Sequence, residues 1–219
     1  MQTGLGRTGR MFALDHFGLE PDLVTVAKSL SGGYVPVGAC AVSSRVFDAV
    51  CDSMENALRH GSTFAPNELA MVAGLATLAE LRRARLPERA AELGARLLEL
   101  TEPLVERYEV VRAVRGLGLL WAIEFGEPRH GRAAWRALER AQPGIFSQFV
   151  VGPLFHRHRI LSQVAGHALN VVKALPPLTI AQADVERFAE ALDQVVRRAS
   201  HVPSSALRFA LRTGVRSVL

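Results

Sequence analysis

Residues 23–33 read Leu-Val-Thr-Val-Ala-Lys-Ser-Leu-Ser-Gly-Gly. A short uncharged run rich in β-branched residues suits a buried strand. The paired glycines after it mark a turn. The segment therefore reads as a strand that delivers one amine, that of Lys28, to a glycine-rich turn. That amine is rare in this chain. Only Lys28 and Lys173 are lysine, and the other 24 of the 26 basic residues are arginine. Arginine stays protonated in proteins, whereas lysine can lose its proton, attack a carbonyl and form a Schiff base. A chain that avoids lysine this thoroughly keeps one where arginine cannot substitute. An ordinary cation at a strand end is the plainer alternative.

Composition narrows the classes of function. With 219 residues, 49% of them apolar, the chain can bury a core as one large or two small domains. No apolar run is long enough to cross a membrane, and the N-terminus carries no signal-type apolar region. Cys40 and Cys51 show neither metal-ligand spacing nor a disulfide framework, which suits a reducing cytoplasm. The net charge of +5 could attract nucleic acid. However, the arginines are scattered, only 6% of residues are aromatic and no nucleic-acid motif is present.

Periodicity sets out the elements. Leu23–Ala27 and Gly38–Val42 are expected to be buried strands. Ser44 is expected to cap a short helix carrying Val46, Phe47 and Val50. Pro66 suits the start of a long helix with Val72, Leu75, Leu78 and Leu81 inward, and Leu93, Leu97, Leu100 and Leu104 mark more helix. Residues 109–114 and 119–125 predict two strands around Gly116-Leu117-Gly118, with Leu119, Trp121, Ile123 and Phe125 alternating onto one face. A polar stretch from Glu127 to Arg140 reads as loop into helix. Residues 160–163 and 170–175 predict short strands. Residues 183–198 predict an amphipathic helix with Val185, Phe188, Leu192 and Val195 inward. Arg208, Arg212 and Arg216 give the tail a basic amphipathic spacing; a frayed or locally packed tail is the plainer reading.

Three blocks carry a family resemblance. They are Gln2-Thr3-Gly4-Leu5-Gly6-Arg7-Thr8-Gly9-Arg10, Pro21-Asp22 through Lys28 to Gly33 with Pro36 and Gly38, and His60-Gly61-Ser62-Thr63-Phe64 with Asn67. In order and spacing the chain resembles the class III aminotransferases, pyridoxal-phosphate enzymes of fold type I. Weaker similarity runs through Arg115–Leu119 and Pro176-Pro177-Leu178 to about residue 198. The resemblance implies an α/β fold, in which a remnant of the large cofactor-binding domain (1–66) is followed by linking helices (67–108). A small C-terminal α/β domain (109–199) and a basic tail (200–219) complete it. It also implies roles. Lys28 would hold pyridoxal 5'-phosphate covalently and shuttle the proton, Gln2 would sit near the ring's phenolic oxygen, and Ser62 and Thr63 would donate to the phosphate. The implied reaction moves an amino group from an ω-amino acid or diamine to a keto acid, in a homodimer. Aminomutase, racemase or decarboxylase chemistry is the related alternative, and an inactive truncated fragment is another.

Two departures from the family pattern bear on this. The family motif reads Asp-Glu-Val-Gln, and its Asp pairs with the pyridine nitrogen. Here Met1 stands directly before Gln2, so that Asp is expected before residue 1. An internal start in a longer gene, or a truncated fragment, would account for this. Lys173 stands where many members carry an arginine that forks onto the substrate carboxylate, which makes it a weaker candidate anchor.

Other motifs carry less. Gly4-Leu5-Gly6-Arg7-Thr8-Gly9 matches the dinucleotide fingerprint but lacks the strand that must precede it. It reads instead as a loop whose glycines allow close approach to a cofactor. His156-Arg157-His158-Arg159 reads as a solvated basic loop, and His16 and His60 as structural.

Overall fold

The computed structural model describes residues 2–56, 61–63, 65 and 67–201. The chain divides into two compact units, residues 1–90 and 91–219.

In the first unit, β1 (Leu23–Ala27) pairs antiparallel with β2 (Gly38–Val42), in a register that sets Leu23 opposite Val42 and Ala27 opposite Gly38. Asp22 pins the open end of this pair. Its carboxylate accepts from the Ser43 hydroxyl at 3.0 Å and from Arg45 at 2.7 Å, and its carbonyl accepts from the Ser43 amide at 2.8 Å. Both strands form where expected, but they are not buried: Leu23 is 54% exposed and every residue of β2 is exposed. The physical reason is that among the described residues this sheet has two strands, so neither strand has a neighbour on both sides.

A short 3-10 turn, Lys28–Ser31, follows β1, and α1 spans Ser44–Val50. Ser43, not Ser44, is the N-cap residue of α1. The long helix α2 (Glu68–Arg83) starts at Asn67, whose side chain accepts from the Ala70 amide at 3.1 Å. Pro66 lies outside the described residues. Leu81 is buried and Leu78 half-buried as expected, but Val72 and Leu75 are exposed; Ala70 and Gly74 are buried instead. Small residues face inward because α2 packs closely on the Lys28–Ser31 turn. A Cβ at Gly74 would lie 3.7 Å from the Leu30 carbonyl, and one at Gly32 would lie 3.4 Å from the Thr77 hydroxyl.

The helix α3 spans Leu86–Thr101, and from Ala91 onward it belongs to the second unit. That unit also holds α4 (Leu104–Arg107), β3 (Val111–Leu117), β4 (Leu120–Phe125), α5 (Arg132–Ala141), α6 (Ile145–His158), β5 (Gln163–Val164), β6 (Val171–Ala174) and α7 (Gln182–Ala199). The four strands form one antiparallel sheet in the order β3-β4-β6-β5.

One face of this sheet carries the core. Leu119, Trp121, Ile123 and Phe125 are all buried, as their alternation predicts. Trp121 meets Phe188 of α7 edge-on at 5.3 Å, and Phe125 meets Phe146 of α6 at 5.1 Å. The buried indole N–H donates to Thr101 at 3.0 Å, and the Thr101 hydroxyl donates to the Leu97 carbonyl at 2.6 Å. No polar atom of that pair is left unmatched, as burial requires.

Four expectations for the second unit are corrected. The strand expected over 160–163 is only Gln163–Val164. The turn between β3 and β4 is Gly118-Leu119, so Gly116 and Leu117 are strand. The helix α6 occupies a stretch for which no element was expected. His156, Arg157 and His158 form its last turn and Arg159 is its C-cap, so the basic cluster is helical, not a loop.

Candidate active site

The site is built outward from Lys28. At the end of β1 its φ is +56°, in the left-handed region that side-chain-bearing residues rarely occupy. Such backbone outliers cost about 1–3 kcal/mol and persist where surrounding structure imposes them. Two serines in the same turn make hydrogen bonds. The Ser31 hydroxyl donates to the Val35 carbonyl at 2.5 Å and accepts from its amide at 3.3 Å, which closes the turn behind Lys28. The Ser29 hydroxyl donates to the Gly4 carbonyl at 3.0 Å and accepts from the Leu5 amide at 3.1 Å. The glycine loop and the lysine turn, 24 residues apart in sequence, are thereby joined.

That loop, Thr3–Gly9, is a series of turns with Gly6 and Gly9 at positive φ. His16 braces it from a second 3-10 turn, Ala13–His16, where its Nε2 lies 3.0 Å from the Thr8 carbonyl and 3.3 Å from the Thr8 hydroxyl. His16 is thus placed as a structural residue, and Thr8 is fully buried. Burial holds the Arg7 guanidinium below its usual range. No α-helix follows the glycines, which removes the dinucleotide-site geometry. A cavity of about 320 Å³ lies along β1, lined by Leu23 through Ala27 together with Thr3, Gly4, Leu5 and Phe12.

The Lys28 side chain is exposed and makes no hydrogen bond or ion pair among the described residues. Gln2, at the open end of the same loop, is also exposed. Ser62 and Thr63 are exposed in a short described stretch in which the Ala65 amide donates to the Ser62 carbonyl at 3.0 Å. Neither is hydrogen-bonded to Lys28. His60 lies outside the described residues.

Lys173 belongs to the second unit. Through Ala122 and Gln163, its neighbours across β4 and β5, it shares a row with Arg115, on the side of the sheet opposite Trp121. Arg115 is held by Glu124 at 2.5 Å, whereas Lys173 has no ion pair among the described residues. Lys173 also lines an open cavity of about 690 Å³, with Leu97, Ile160, Pro176, Val185 and Phe188. Sequence reasoning missed this cavity, because its lining comes from four separate stretches, and it missed the role of Ser29, which only the fold brings to Gly4.

Comparison with known proteins places this geometry in a family. The model of the class III aminotransferases matches residues 1–196. The chain belongs to the class III aminotransferases. It is 35% identical over 199 residues to a putrescine aminotransferase of Pectobacterium atrosepticum, which covers 90% of this chain and 38% of that protein. A leucine/methionine racemase of Thermococcus litoralis is 33% identical over 202 residues, covering 92% and 41%. An amine transaminase from an uncultivated Pseudomonas species, solved with pyridoxal phosphate bound, superposes with a TM-score of 0.74 at 32% identity, covering 90% and 43%. This class III chain therefore has the fold type I architecture over less than half the length of those relatives. The family depends on pyridoxal phosphate, and the donor set in the first unit suits that group. It offers one unpaired amine, a glycine loop fixed beside it and hydroxyls at Ser62 and Thr63.

Proposed function

We propose that this chain carries the lysine-bearing part of a pyridoxal-phosphate transaminase, which moves an amino group from a diamine or ω-amino acid to a keto acid. One observation supports this above the others. Lys28 is an exposed amine at positive φ with no hydrogen bond or ion pair among the described residues, and the residue after it is hydrogen-bonded to the glycine loop. When bound, pyridoxal phosphate supplies a carbonyl that condenses with amines and a ring that takes up negative charge.

Around that chemistry each residue has its own task. Lys28 Nζ would hold the cofactor and would serve as the base that moves the proton. Gln2 orients the ring from the loop. The hydroxyls of Ser62 and Thr63 donate to the phosphate, with Thr63 serving across a homodimer interface. Lys173 receives a substrate carboxylate as a point charge, with looser orientation than a guanidinium fork would give. The 35% identity to a putrescine aminotransferase supports a diamine donor. The similarity to a racemase supports a second reading, in which the same lysine moves a proton without amino transfer.

The test is incubation of the chain and pyridoxal phosphate with putrescine and a panel of keto acids and, separately, with L-leucine alone. Consumption of keto acid with formation of its amino acid supports transfer. Loss of optical activity from a single amino acid, with no keto acid consumed, supports racemisation and overturns transfer.

A further inference from the structure

We infer that the cavity of about 690 Å³ in the second unit is a binding site for a monocarboxylate with an apolar body. The inference rests on the reading of Lys173 as a carboxylate anchor and adds what that carboxylate is attached to. All of the lining belongs to one unit, the second. Its volume falls in the range of about 300–1,000 Å³ typical of small-molecule sites.

Two kinds of wall meet in it. Leu97 of α3, Ile160, Leu175, and Val185 and Phe188 of α7 make one side apolar. The core holds that side in place, since Phe188 meets Trp121 edge-on at 5.3 Å. Hydrocarbon gains by lying there, whereas a second charge would lose its water without a partner. The other side is cationic. Arg159, Lys173 and Arg187 line the cavity against one acidic residue, Asp184. Arg187 is set in place by donating to the His158 carbonyl at 2.7 Å. This excess of positive charge attracts an anion and repels a diamine.

Ser162 supplies an independent observation. It lines the same cavity, and its hydroxyl oxygen is buried with no hydrogen-bond partner among the described residues. Buried polar atoms are ordinarily matched, so an unmatched hydroxyl beside a cavity marks where a ligand oxygen belongs. The hydroxyl donates to the carboxylate, the cations balance its charge, and the body lies on the apolar side. For the proposed reaction this names the acceptor class: a keto acid with an apolar side chain, not one with a second carboxylate.

The test titrates the full chain, without pyridoxal phosphate, in a calorimeter. The probes are 4-phenylbutyrate, its neutral amide, acetate and glutarate. 4-Phenylbutyrate has no keto group, so it cannot condense with Lys28. Wild type, Lys173→Met and Ser162→Ala are compared, with the thermal midpoint of each as a check on folding. The expected result is that wild type binds 4-phenylbutyrate at least about tenfold more tightly than the other three probes. Each substitution weakens that binding by about tenfold, as the loss of one hydrogen bond to a charged group implies. Ser162→Ala keeps the wild-type midpoint, because the hydroxyl it removes has no partner in the free chain. A lowered midpoint would mean that the hydroxyl is already engaged, and overturns the inference. So does unchanged binding in Ser162→Ala, which would assign the hydroxyl to water. Binding of 4-phenylbutyrate no tighter than that of acetate also overturns it, while the anchor reading survives if Lys173→Met still weakens acetate. Equal binding of acid and amide, unchanged in Lys173→Met, removes the anchor reading and the inference together.

Discussion

At the scale of single residues, the account turns on two backbone positions. Lys28 holds a left-handed conformation that costs any side chain energy and glycine almost none. Lys28→Gly is therefore expected to be more stable than Lys28→Ala by about 1 kcal/mol in denaturant unfolding, although both variants lose the amine. Equal stabilities would mean the strain is not there. Gly94 is the second position. A Cβ built on it would collide with the Gly118 carbonyl, because α3 crosses directly over the β3–β4 turn. Backbone cannot yield as a side-chain tip does, so Gly94→Ala is expected to cost at least about 1–3 kcal/mol, read as a lower thermal midpoint. The Gly116–Gly118 motif was legible in the sequence as a turn. Its second glycine makes the turn at φ +56°, whereas Gly116 is a strand residue pressed by Leu98, a role that composition does not reveal.

At the scale of elements, caps and straps set local stability. Asn67 caps α2, the helix packed on the Lys28 turn, and Asn67→Ala is expected to cost about 1 kcal/mol. Faster amide exchange at Ala70 would check it. In the second unit, Glu127 grips Arg136 of α5 through two bonds of 2.9 Å. This hydrogen bonding holds the Glu127 carboxyl below its usual range. A lowered folded value means the stabilisation is present above the unfolded carboxyl value of about 4.3 and is lost as pH falls through the folded value. The stability gap between wild type and Glu127→Gln should therefore be open at neutral pH and close in acid. It should be small, because the pair is exposed. Element legibility followed periodicity. β1, β2, β4 and α7 were readable because their apolar spacing is clear. The helix α6 was not, because Gly152 and Pro153 break its pattern and its buried residues, Phe146, Ser147, Phe149, Val150 and Leu154, do not form a single stripe.

At the scale of the whole molecule, the two units differ in how well they satisfy their apolar residues. The second has a covered sheet with Trp121, Ile123 and Val172 almost wholly buried. The first leaves Leu23, Phe47, Met54, Val72 and Leu75 in the open. Apolar surface on that scale promotes association. Replacing Val72 and Leu75 by glutamate is expected to weaken any self-association seen in sedimentation; an unchanged mass would contradict a role for this face. The candidate site was partly legible. Lys28, Gln2, Ser62, Thr63 and Lys173 stand out by residue type and motif, whereas the hydrogen bonds of Ser29 to the glycine loop exist only because the fold joins residues 24 apart. The most direct test of the central claim is to reduce the chain with borohydride in the presence of pyridoxal phosphate and map the modified peptide. The account predicts a visible absorption band before reduction and an adduct on Lys28 that is absent from Lys28→Ala. An adduct shared between the chain's N-terminal amine and Lys173, with Lys28 unmodified, would contradict it.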